Sequence, residues 1–98
     1  MIDLLPDYLK QIKKILETYV PTATVWAFGS RVRMTASEYS DLDLVLIDKT
    51  IIPQKLFYQL KDAFEESDLP IKVDILDWHR ISSEFQKNIE SNYEQILP

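Results

Sequence analysis

The sequence predicts a small α/β domain of the α+β type, a mixed sheet of about three strands flanked by helices. Two observations predict it. Apolar residues recur at helical spacing in some stretches and alternate with period two in others, in the order helix, strand, short helix, strand, helix, strand, helix. The chain of 98 residues also has room for one core and little more, since a chain this short buries roughly 65% of its unfolded surface. The expectation is a single domain over 1–98.

Residues 5–19 carry Leu5, Tyr8, Leu9, Ile12, Ile15, Leu16 and Tyr19 at helical spacing, with Lys10, Lys13 and Lys14 elsewhere on the wheel. Pro6 suits a first helical turn and Pro21 ends the segment. Residues 22–28 are β-branched and aromatic, apolar on both faces, which predicts a central strand. Residues 30–34 predict a short helix and 35–40 a polar loop. A second strand runs over 41–48. Pro53 opens a second long helix with a stripe of Leu56, Phe57, Leu60, Ala63 and Phe64. Residues 71–76 form a third strand with Ile71, Val73 and Ile75 on one side and Asp74 on the other. Ser83 and Gln86 have the spacing of a capping box, and a last helix is expected to carry Phe85, Ile89, Tyr93 and Ile96.

Composition excludes several classes. There is no cysteine, hence no disulfide, zinc-thiolate site or thiol nucleophile. No apolar run reaches the ~20 residues that span a bilayer, and the first residues do not open a signal peptide; no membrane association and a cytoplasmic location are expected. The net charge is −5, and the basic residues are scattered except for Arg31 and Arg33. Direct nucleic-acid binding, which draws its affinity from clustered Lys and Arg, is not expected.

The chemistry gathers around the one glycine. Trp26-Ala27-Phe28-Gly29-Ser30-Arg31 reads as a strand stopping at a tight turn. Asp41-Leu42-Asp43 follows and runs into Leu44-Val45-Leu46-Ile47. Carboxylates at i and i+2 on a strand share a face. Asp74, isolated among apolar residues, is the natural third acid if its strand adjoins the second; Asp77, three residues on, falls on the opposite face. Charges about 4 Å apart repel by roughly 4 kcal/mol at an effective dielectric near 20, so such a set must shift its pKa values or hold a cation. Oxygen-only ligands favour Mg²⁺. Each signal alone has an ordinary explanation: a turn dipeptide, the exposed end of a strand, an acid facing water. Their order on these elements points to a metal-bound nucleoside triphosphate. His79 and Trp78 are expected to lie on the surface and to pack, respectively, and Tyr93 to belong to the core or an interface.

Gly29-Ser30-Arg31-Val32-Arg33, Ser40-Asp41-Leu42-Asp43-Leu44 and Val73-Asp74-Ile75-Leu76-Asp77-Trp78 together resemble the minimal nucleotidyltransferases of the DNA polymerase beta superfamily. The resemblance implies that Gly29, Ser30 and Arg31 hold the triphosphate of ATP. It implies that Asp41, Asp43 and Asp74 are the catalytic acids and the ligands of two Mg²⁺ ions. Relatives often carry a second glycine where this chain has Met34. In the family this chain resembles, small members are often encoded beside an all-helical HEPN ribonuclease and act as its antitoxin, and some transfer AMP to a tyrosine of that toxin. The expected function is therefore AMP transfer to a HEPN partner. Alternatives are an antitoxin that acts by binding alone, or the catalytic subunit of a split small-molecule nucleotidyltransferase.

Overall fold

The computed structural model describes residues 2–33 and 40–98. Met34 and the loop expected after it lie outside the described residues. Helix α1 spans Pro6–Tyr19, with Pro6 at its start and Asp7 in the first turn, where a negative charge complements the helix dipole. Ile12 and Leu16 are its fully buried positions, and the Val20 N–H closes the last turn on Leu16 O at 2.7 Å before Pro21. Leu5 stands outside the helix and is 60% exposed, so the buried stripe begins later than its spacing suggests.

Strand β1 (Thr24–Phe28), helix α2 (Ser30–Arg33), strand β2 (Leu42–Ile47), helix α3 (Gln54–Glu65) and strand β3 (Val73–Asp77) follow in the expected order. A 3₁₀ turn at Trp78–Arg80 leads into helix α4 (Ser83–Glu90) and strand β4 (Tyr93–Leu97). The sheet order is β3-β2-β1-β4. β1 is antiparallel to both β2 and β4, while β2 and β3 are parallel. The sheet is mixed, as expected, and β1 is central.

The sheet has four strands where the sequence suggests about three. Tyr93 and Ile96, expected on the last helix, belong to β4. Their three-residue separation fits a helix wheel, but the helix ends at Glu90 and Ser91 N turns back to Lys87 O at 3.2 Å. Pairing with β1 then satisfies the backbone groups that a central strand would leave open on that edge. The helix cap also differs from expectation. Ser82, not Ser83, accepts the Phe85 N–H at 3.1 Å, and Gln86 Nε2 donates to Trp78 O at 2.9 Å instead of returning to the cap.

One sheet face, with Val25, Ala27, Leu42, Leu44, Leu46, Val73 and Ile75, packs with Ile12 and Leu16 of α1 and Leu60 and Phe64 of α3 into the main core. The alternate residues face the other way. There Trp26 stacks on Tyr93 with ring centroids 3.9 Å apart and meets Trp78 edge to face at 5.5 Å. Phe28 meets Phe85 of α4 in the same manner at 5.9 Å. These rings hold the last fifth of the chain, from Trp78 on, against the second face, which is also the face of Asp43. No described helix is long and apolar enough to cross a membrane.

Candidate active site

Three elements converge on the C-terminal end of β1 and the N-terminal ends of β2 and β3. The pairing sets Asp43 beside Asp74 in the parallel β2–β3 ladder and opposite Phe28 in the antiparallel β1–β2 ladder. Residues in register project from the same face, so the two acids share a surface. Asp43 is half-buried and Asp74 exposed. Asp41 precedes the first residue of β2 by one position.

The electrostatics at Asp43 register all three acids. Burial, then the Asp74 carboxylate, then that of Asp41 push the Asp43 carboxyl above its ordinary value, and Arg33 opposes them. Partial desolvation and like charges both disfavour the ionised form. Among the described residues, no three acidic, histidine or cysteine groups form a ready metal cage. The three aspartates are a shared electrostatic neighbourhood. Their donor set, carboxylate oxygens alone with mutual repulsion at its centre, fits a hard divalent cation such as Mg²⁺.

Gly29 supplies the shape. Its φ is +83°, a conformation costly to any residue with a Cβ. A Cβ built there would also lie 2.5 Å from Asp43 Oδ2. The turn backbone therefore lies against the carboxylate itself. Gly29 O accepts the N–H groups of Val32 and Arg33 at 3.1 and 3.0 Å, which winds the chain directly into α2. Ser30 is the first residue of that helix.

Arg31, expected at the triphosphate, is only 7% exposed. Its guanidinium donates from Nε and Nη2 to Ser40 O at 3.1 and 3.0 Å and from Nη1 to Asp3 O at 2.8 Å. The Asp3 N–H returns to Arg31 O at 2.8 Å. Arg31 thus ties the N-terminal segment and the residue before Asp41 to α2. Sequence gave no sign of this clamp, because its partners lie far away along the chain. Arg33 is exposed and is the cation whose field reaches Asp43.

Asp77 lies on the opposite face from Asp74, as the alternation requires, and is 2% exposed. It accepts the Ile52 N–H at 2.7 Å and the His79 N–H at 3.0 Å, with Arg80 Nε at 3.5 Å. It anchors the segment entering α3 to the end of β3. His79 is exposed, with Nε2 2.7 Å from Asp48 O, and Trp78 packs on Trp26 as expected.

Residues 10–97 match the family model described as polymerase beta, nucleotidyltransferase. The chain is 46% identical over 92 residues to a probable protein adenylyltransferase, MntA, of Haemophilus influenzae, covering 94% of this chain and 81% of the relative. Among solved structures, a toxin–antitoxin crystal structure with AMP-PNP superposes with a TM-score of 0.76 at 21% identity, over 90% of this chain and 71% of the other. A tri-AMPylated Shewanella oneidensis HEPN toxin in complex with an MNT antitoxin gives a TM-score of 0.67 at 20% identity, over 90% and 67% of the two chains.

Proposed function

Because this chain belongs to the polymerase beta nucleotidyltransferase family, we propose that it transfers AMP from ATP to a tyrosine hydroxyl of a HEPN toxin and thereby acts as its antitoxin. The observation that carries the reading is the register of Asp43 with Asp74, beside a turn whose glycine leaves room for the Asp43 carboxylate. The 46%-identical relative named as a protein adenylyltransferase supports the activity. The solved complexes of MNT antitoxins with HEPN toxins support the partner. We place the reaction in the cytoplasm, where ATP is available.

Asp41, Asp43 and Asp74 would hold two Mg²⁺ ions, and the Gly29–Ser30 backbone, with Arg33 beside it, would face the triphosphate. Bound there, the cations supply positive charge to the attacking and departing oxygens. The tyrosine oxygen forms a bond to the α-phosphorus as the bond from that phosphorus to the bridging oxygen of the β-phosphate breaks. Pyrophosphate leaves, and the phenolic proton passes to a carboxylate oxygen of Asp74, whose exposure lets it go on to water. Arg31 holds the approach to Asp41 through Ser40 O. The arrangement contributes by position and fixed charge, as phosphoryl transfer requires.

The test incubates the protein with its helical partner, Mg²⁺ and α-labelled ATP. Label should move to the partner with the wild type and fail to move with Asp43→Asn. Neutralisation of the toxin by both forms without label would leave an antitoxin that acts by binding alone.

A further inference from the structure

The face that carries Asp43 continues into an aromatic corner for which the transfer chemistry has no use. Phe28 pairs with Asp43 across β1 and β2, which sets their Cβ atoms about 5 Å apart. Phe28 is also the residue before Gly29, so its backbone leads directly into the turn assigned to the triphosphate. Against it, edge to face, stands Phe85, which is 40% exposed on α4. With Ser82, Glu84, Lys87 and Asn88, Phe85 lines an open depression of about 500 Å³, within the ~300–1,000 Å³ of small-molecule sites.

We propose that this depression is the nucleobase subsite, with Phe85 as the stacking surface and Asn88 as the group that favours adenine. The proposal rests on the nucleotidyltransferase reading and gives its donor a base site. A purine needs a π-face to replace the water it loses, and an aromatic ring serves any base. Phe28 fixes one side of Phe85, so the ring is held before a ligand arrives. Discrimination then falls to a polar neighbour. Asn88 lies three residues beyond Phe85, a spacing that brings side chains together on one helix face. Its amide carries both a donor and an acceptor, the pair that matches N7 and the N6 amino group of adenine; guanine presents acceptors at both N7 and O6.

The test measures equilibrium binding of ATP, GTP and inorganic tripolyphosphate to the full chain with Mg²⁺, with melting temperatures as a check on folding. Phe85→Ala should weaken ATP at least fivefold, the lower end of what losing one base–aromatic stack costs, and leave tripolyphosphate unchanged. Phe85→Trp should restore ATP binding. Asn88→Ala should narrow the preference for ATP over GTP. ATP binding unaltered by Phe85→Ala, or equal losses of ATP and tripolyphosphate in a folded variant, would overturn the subsite and leave the proposed function standing. A wild type that binds neither ligand would overturn both.

Discussion

Gly29 and Asp43 occupy one another's space: a Cβ on the glycine would sit 2.5 Å from the Asp43 Oδ2. The constraint is double, because the same residue has φ +83°. The substitution Gly29→Ala therefore meets two penalties. The left-handed conformation costs an alanine about 1–2 kcal/mol, and the carboxylate must move. We expect a fall in Tm of at least about 5 °C, given about 4–8 °C per kcal/mol in a domain of this size, and loss of AMP transfer beyond what the remaining folded fraction explains. Thermal melts paired with transfer assays check both.

Asp43 carries a stability cost that its neighbours impose. Its folded pKa is raised above the ordinary value of 3.8, so the folded protein binds this proton more tightly than the unfolded chain does. In the window from 3.8 up to the raised value, the native state holds more proton, and stability from this group falls as pH rises. Asp43→Asn removes the charge without adding volume. In EDTA at neutral pH it is expected to melt above the wild type, and to flatten this part of the pH profile, while losing transfer. Melts across the pH series, wild type beside variant, isolate the group.

Asp74 and Asp77 are expected to separate function from folding within one strand. Asp74 is exposed and in register with Asp43; Asp74→Asn should keep the wild-type Tm or exceed it, and lose transfer. Asp77→Ala strips acceptors from the Ile52 and His79 N–H groups. An unsatisfied buried group costs about 1–3 kcal/mol, so its Tm should fall by several degrees. Urea unfolding of the two variants distinguishes them.

Arg31→Lys tests the clamp. A lysine ammonium has no planar fork and cannot serve both Ser40 O and Asp3 O as the guanidinium does. The loss of one or two hydrogen bonds, each worth about 0.5–1.5 kcal/mol net, should lower Tm by several degrees. Hydrogen exchange should rise at Asp3, whose N–H bonds to Arg31 O, before it rises in the core.

What could be read from sequence followed the range of the interactions. Asp43 and Asp74 were legible because strand alternation fixes their faces, and the isolation of Asp74 among apolar residues marked it. Gly29 was legible as the one glycine after an apolar run. β4 was not, because Tyr93 and Ile96 suit a helix wheel as well as a strand, and only the open edge of β1 decides between them. The commitment of Arg31 was hidden for the same reason: it depends on Asp3 and Ser40, 28 and 9 residues away. The cap lies at Ser82, one residue before the Ser83 that the spacing to Gln86 suggested. Local pattern set Asp43 and Asp74 on one face, while tertiary pairing decided that Arg31 is buried and Arg33 exposed.

The most direct measurement is the intact mass of the helical partner co-purified with this protein, once with the wild type and once with Asp43→Asn. The account predicts one or more AMP-sized increments with the wild type and an unmodified partner with the variant. An unmodified, neutralised partner bound to the wild type in the presence of ATP and Mg²⁺ would contradict it.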